Sequence, residues 1–237
     1  MAVTHGRHGG DPAWRGGWWR HAARRRSPHH GPRPPASAVQ LAVVHSISLP
    51  AGVYGGPYIE DLFLGRLDPS AHPDFAALRG LRVSAHFVIR RDGRVLQFVD
   101  VDRRAWHAGV SSWRGRANCN DWSVGIELEG LEGRAFEGPQ YAALARLLRA
   151  LARRHPIREV VGHEHVAPGR KHDPGDGFEW PRLRRLLRLR HVWLAGDAPA
   201  SMRPAARNRP ADRGARGLRK RKPAVAQALR ARRTGHR

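Results

Sequence analysis

A single cysteine, Cys119, is present in 237 residues. One thiol excludes an intrachain disulfide framework and fits a reducing compartment. Set between Asn118 and Asn120, it reads as a small buried side chain rather than a nucleophile. Also missing is any stretch of about twenty apolar residues, so no segment has the length of a membrane-spanning helix. The basic N-terminal region is not followed by an apolar run of signal-peptide length, because Trp18 and Trp19 give way at once to Arg20 and His21. A cytoplasmic protein with no membrane partner is expected. No internal repeat is visible.

Acidic residues are scarce: 20 Asp and Glu stand against 43 Lys and Arg, for a formal net charge of +23. The imbalance sits at the ends. Residues 1–40 carry seven Arg against Asp11, and residues 196–237 carry 13 Lys and Arg against Asp197 and Asp212. The long middle, 41–195, holds 23 basic and 17 acidic residues, close to an ordinary globular balance. Residues 198–237 are rich in Pro, Ala, Gly and Arg, a composition that cannot bury enough apolar surface to offset ordering entropy. Residues 1–16 therefore read as a disordered extension, 17–195 as one folded domain and 196–237 as a disordered basic tail. The tail can touch RNA, DNA or anionic lipid non-specifically. The core lacks an aromatic-basic motif, so no specific nucleic-acid partner is expected.

Within the middle, strand-like and helix-like segments alternate, which predicts an α/β or α+β domain with a central mixed sheet and flanking helices. Residues 41–45 form an apolar strand. Pro57 marks a helix start, with Ile59, Leu62 and Phe63 at helical spacing. Residues 66–80, with Pro69 and Pro73, read as a long surface loop. Apolar runs on either side of Arg91-Asp92-Gly93 predict a hairpin. Residues 123–129 alternate strictly, placing Val124, Ile126 and Leu128 on one face and Gly125, Glu127 and Glu129 on the other. An amphipathic helix follows Pro139, Val160-Val161 forms a short strand, and Leu183 to Trp193 suggests a closing helix.

The densest chemistry lies in His163-Glu-His-Val-Ala-Pro-Gly-Arg-Lys171-His-Asp173-Pro-Gly, read as a loop held by Pro and Gly. Far upstream, His45 ends an apolar strand. Two imidazoles and a carboxylate make three protein ligands, and a catalytic zinc keeps its fourth position for water. His45, His163 and Asp173 are the candidates. His165 and His172 are substitutes, and Asp173 before Pro174 is also an ordinary turn former. For proton transfer the choice falls on Glu127, with Glu129 competing about 7 Å along the same face. The bland alternative is that both are exposed on an edge strand. Lys171 could steady an oxyanion or be one more surface lysine. Trp106-His107 lies in a loop suited to lining a cleft, His86 reads equally well as a hydrogen-bonded sheet residue, and His29 and His30 read as solvated tail residues.

These blocks are recognisable together. Val43-Val-His-Ser-Ile-Ser-Leu-Pro50, Leu81-Arg-Val-Ser-Ala-His86, Arg104-Ala-Trp-His-Ala-Gly-Val-Ser111, Cys119-Asn-Asp, Gly125-Ile-Glu-Leu-Glu-Gly130, Gly162-His and Asp173-Pro-Gly175 resemble the AmpD family. These are cytoplasmic zinc-dependent 1,6-anhydro-N-acetylmuramoyl-L-alanine amidases of cell-wall recycling. The likeness runs from about Gly17 to Leu187. It implies the fold shared with peptidoglycan-recognition proteins and phage-type amidases, and a muropeptide substrate. It also implies one zinc on His45, His163 and Asp173, with Glu127 as acid/base and Lys171 beside the reacting carbonyl. Arg82 and Arg116 match positions that could meet peptide carboxylates, and Trp106 and His107 border the groove. Ser46 stands where the pattern usually has Asn beside the substrate, and Glu164-His165 replaces an uncharged residue and Asn. A non-catalytic peptidoglycan-binding module on the same fold is the alternative.

Overall fold

The alternating segment 123–129 becomes the middle strand of a seven-stranded mixed sheet, not an edge, and every one of its residues is buried. The computed structural model describes residues 11–197; the expected extension up to residue 10 and the basic tail from 198 lie outside the described residues. In chain order, β1 (Trp14–Arg15) and β2 (Trp18–Trp19) pair antiparallel, and β3 (Ala23–Arg24) and β4 (His30–Gly31) follow. Next come β5 (Leu41–Ile47), α1 (Tyr58–Phe63), β6 (Phe87–Ile89) and β7 (Val95–Gln97). β8 (Arg104–Ala105) pairs with β4, and β9 (Ser112–Trp113) with β10 (Arg116–Ala117). β11 (Ser123–Glu129) leads through α2 (Gly138–Arg154) to β12 (Glu159–Gly162). The single turn α3 (His163–Val166), α4 (Trp180–Leu187) and β13 (Trp193–Leu194) complete the main elements. The sheet runs β13-β12-β5-β11-β6-β7-β3. All neighbours are parallel except the β6–β7 hairpin.

Period-two alternation divides the sheet into two faces. Ala42, Val44, Val124, Ile126 and Leu128 pack under the apolar side of α2, where Tyr141, Leu144, Leu147, Leu148 and Leu151 meet Leu183 and Leu187 of α4. On α2 that apolar stripe recurs at helical spacing, while Arg146 and Arg153 remain exposed on the outer side. Gln140, fully buried in the first turn of α2, accepts from the Glu137 amide and donates to the carbonyls of Ile89 and Glu129. It thereby ties the helix start to two strands. The opposite face carries Leu41 and Val43 with Cys119 and Trp122. Beside it, α1 packs Ile59, Leu62 and Phe63 against Phe98. Cys119 is fully buried, as its setting suggested.

Four expectations are corrected. Residues 66–80 are not loop throughout: Pro73–Leu78 forms a 3-10 helix whose Phe75 and Leu78, three apart, are buried in the α1 cluster. The closing helix ends at Leu187, where Arg188 takes a left-handed conformation at φ 54°, and Trp193 belongs to an edge strand instead. Packing starts before Gly17, since Trp14 is buried and carries Arg154 over its ring. His29 is no solvated tail residue: it is buried, its Nδ1 lies 3.1 Å from the Val83 carbonyl, and its ring stacks on Trp106.

The sheet also buries an ion network. Arg90, 5% exposed, donates to Glu129 at 2.8 Å and to Glu60 at 3.0 Å, and Glu60 receives Arg25 on its other oxygen. Burial opposes ionisation of Glu60, yet the two guanidiniums hold its carboxyl below the usual range. Glu129 also accepts from the Gly55 amide at 2.7 Å, pinning the loop after β5. Removing one partner of such a pair strands a buried charge. Arg90→Met is expected to cost about 3–5 kcal/mol of unfolding free energy in urea titrations. The double variant Arg90→Met/Glu129→Met recovers much of it if the stranded carboxylate is the cause.

Candidate active site

Three adjacent parallel strands deliver the site. β11 and β5 pair with Glu127 opposite His45, and β12 pairs with β5 up to Gly162 opposite Val44, so His163 arrives beside His45 as the next residue. Period two then turns Glu127 and His45 to the same face. His163 opens α3, so the stretch expected to be wholly loop begins with one helical turn. After that turn the chain returns: the Glu164 amide donates to the Asp173 carbonyl at 2.9 Å, and the Glu164 carboxylate accepts from the Gly175 amide at 3.1 Å. These bonds bring Asp173 back over the turn that holds His163.

The three side chains converge on one point. His45 Nδ1 and His163 Nδ1 are 2.9 Å apart, and they lie 3.3 and 3.2 Å from the same Asp173 oxygen, Oδ2. A tetrahedral zinc with ligands at about 2.0–2.1 Å has donor–donor edges of roughly 3.3 Å. The donor set fits that ion in type, number and spacing. Burial and the neighbouring His163 hold His45 down to about 4, so it is neutral at pH 7 and its lone pair is available. Burial works against ionisation of Asp173, but His163 and His45 keep its carboxyl well below the usual range. Among the described residues, no other group of three such side chains is this close. His165 is used structurally, its Nδ1 accepting from the Gly162 amide at 3.0 Å, and His172 stays on the cavity wall.

The cluster forms one wall of a cavity of about 160 Å³ that also includes Ser46, Trp106, His107, Glu127 and Lys171. Glu127 is 8% exposed, and its Oε2 has no hydrogen-bond partner. Burial and nearby Asp173 push its carboxyl well above the usual range. Its competitor Glu129 is occupied by Arg90 and Gly55 and does not line the cavity. Burial pushes the Lys171 ammonium down, with Asp173 opposing. Arg82 stacks on Trp106, with its guanidinium 5.5 Å from the ring centre, and lines an adjoining recess with Arg104 and Asn120. Arg116 stands apart: it lies on β10, exposed, over Trp122, and does not line the cavity.

A family profile described as N-acetylmuramoyl-L-alanine amidase matches residues 35–176. The chain belongs to the N-acetylmuramoyl-L-alanine amidase family. Its relatives include the 1,6-anhydro-N-acetylmuramyl-L-alanine amidase AmpD of Citrobacter freundii, 52% identical over 72% of this chain and 92% of that protein. The Escherichia coli K12 AmpD is 51% identical over 72% of this chain and 94% of its own length. A crystal structure of a selenomethionine AmpD derivative superposes with a TM-score of 0.71 at 52% identity, covering 73% of this chain and 98% of that one. The solution structure of Citrobacter freundii AmpD superposes at 0.55 with the same identity, over 73% of this chain and 94% of its own. The fold is thus that of the amidase family, as the motif blocks implied. No described helix of this amidase is long and apolar enough to cross a membrane.

Several contributors to the site were not singled out as site residues from the sequence. Glu164 latches the Asp173 segment through Gly175. Asn120 accepts on one side-chain oxygen from the amides of His107 and Ala108, shaping the cavity loop. Ser123 contacts His107 from below. An Asn between two helix-turn residues and a Ser at a strand start carry no mark of function by themselves. Ser27, Ser48, Ser84 and Ser111 are buried as well, and they bond to loop amides and carbonyls.

Proposed function

We propose that this amidase hydrolyses the amide between the lactyl carbonyl of (1,6-anhydro-)N-acetylmuramic acid and the L-alanine of peptidoglycan stem peptides, as a zinc enzyme of cytoplasmic cell-wall recycling. The carrying observation is the pairing, in one cavity, of a three-donor cluster with a buried carboxylate whose Oε2 is unpartnered. The family profile and the AmpD relatives support the choice of bond. The buried Cys119 thiol is compatible with a reducing compartment.

His45, His163 and Asp173 would hold the zinc. Bound there, zinc supplies a Lewis acid that polarises the amide carbonyl and lowers the pKa of a water toward about 7. Glu127 takes the proton from the attacking water on Oε2 as oxygen adds to the carbonyl carbon. It returns that proton to the alanine nitrogen as the C–N bond breaks. The products are a lactyl carboxylate and a free peptide amine. Lys171 presents positive charge at the cavity wall to the carbonyl oxygen as that oxygen becomes negative. Trp106 offers an apolar face and Arg82 a cation for carboxylates of the peptide, and Ser46 borders the cleft.

Mass spectrometry of an anhydro-muropeptide incubation tests the proposal. Free peptide plus anhydro-sugar, lost on chelation and restored by zinc, is the expected result. Intact substrate after incubation with zinc-loaded protein would instead favour a module that binds muropeptide without cleaving it.

A further inference from the structure

We propose that the 106–110 loop acts as an outer shell that locks both metal-binding histidines in the tautomer that leaves Nδ1 free, with His107 as a positioning residue; this rests on the zinc assignment above. The direction of the hydrogen bonds follows from groups that can only accept. Ser123 Oγ lies 2.6 Å from the Cys119 carbonyl, so its hydroxyl proton points there and its oxygen is left as an acceptor. His107 Nε2, 3.2 Å from that oxygen, is therefore the donor. The two His107 nitrogens face only Ser123 and His45, with no carboxylate to hold a second ring proton. A neutral ring with its proton on Nε2 presents a lone pair at Nδ1. That lone pair, 3.0 Å from His45 Nε2, accepts the hydrogen bond of the Nε2 proton and leaves His45 Nδ1 for the metal beside Asp173 and His163.

The other ligand is set by the next residue of the same loop. His163 Nε2 lies 3.2 Å from the Ala108 carbonyl, an acceptor only, so once the metal takes Nδ1 beside Asp173 the remaining His163 proton sits on Nε2 and donates there. Arg170 fixes that carbonyl by donating to it at 2.7 Å and to the Val110 carbonyl at 2.5 Å. Asn120 fixes the amides of His107 and Ala108. The His107 ring sits directly over Gly125, where a Cβ would fall 2.3 Å from its Cγ, so only glycine leaves room for it. Both His107 nitrogens are thus engaged within the protein. Although the ring lines the cavity, it has no nitrogen left to offer a substrate.

Outer partners of metal-bound histidines typically change metal affinity 10–100-fold. Zinc affinity by competition with a chromophoric chelator, measured on the full chain, is the direct readout. His107→Leu is expected to bind zinc about 10–100-fold more weakly. His107→Asn, whose Oδ1 can replace the Nδ1 acceptor, should stay much closer to wild type. Ser123→Ala, which leaves His107 in place but removes its anchor, should fall between them. In zinc-loaded wild-type protein, long-range ¹⁵N–¹H NMR of histidine should show His45 and His163 protonated on Nε2, a result that does not depend on any variant folding. Wild-type zinc affinity in His107→Leu, or a proton on Nδ1 of either ligand, would overturn the proposal. A wild-type protein that takes up no zinc fails the metal assignment itself and the proposal with it. Zinc-loaded wild type beside a His107→Leu of equal affinity fails the proposal alone.

Discussion

Glu127→Gln is expected to lower kcat for muropeptide cleavage by about 10²–10⁴-fold, the contribution of a positioned acid/base, while zinc content stays at the wild-type level. Gln keeps the size and one acceptor but can neither take the water's proton nor give it to the amine. Since burial and Asp173 raise the Glu127 carboxyl well above its usual range, the acid limb of the wild-type kcat/KM profile should fall at a pH above the ordinary carboxylate value of 4.5. That limb should disappear in the variant's residual activity. Stability should move the other way. A carboxyl with a raised folded-state pKa binds more protons folded than unfolded, so its contribution to stability declines as pH rises through that interval. In metal-free protein, thermal melts of Glu127→Gln should exceed wild type at pH 8, with the gap closing toward pH 5. A variant equal to wild type in rate would remove Glu127 from the mechanism, and a gap that widened toward pH 5 would reverse the assigned shift.

Asp173→Ala is expected to leave the protein without stoichiometric zinc and without measurable amidase activity. Its oxygen Oδ2 is the atom that both ligand nitrogens share as a neighbour, so its loss opens the donor triangle at two edges. Zinc that binds only the folded state stabilises it by RT ln(1 + [L]/Kd), about 4 kcal/mol at a thousandfold excess over Kd. Wild-type melts should therefore rise with added zinc and fall with a chelator, whereas Asp173→Ala melts should respond to neither. Metal analysis of the purified variant supplies the independent check. Retained zinc with retained cleavage would move the third ligand elsewhere, with His172 on the same wall as the next choice.

Strand 123–129 was legible from its period-two alternation, and 41–45 from an apolar run that the structure extends to Ile47. The same regularity could not separate Glu127 from Glu129, which share a face; the distinction comes from Arg90, 39 positions away in the chain and adjacent only once β6 and β11 pair. Prolines at 69 and 73 signalled a loop, and they masked a 3-10 turn whose Phe75 and Leu78 needed α1 as a surface before their spacing meant anything. The apolar spacing after Leu183 continued past the true helix end, because Arg188 gives no warning of its left-handed backbone. The convergence of His45, His163 and Asp173 was legible as chemistry. Its outer partners were not, for Ala108 contributes a carbonyl that every residue has.

Pairing of β5 with β11 has a consequence for how this enzyme comes into being. His45 and Glu127 stand directly opposite each other, and a slip of one residue would turn one of them through to the helical side of the sheet. No partly registered sheet can therefore hold a weakened version of the site. During refolding, cleavage should emerge in step with correct strand alignment rather than with collapse or helix formation, which makes the reaction itself a clock for the last act of assembly.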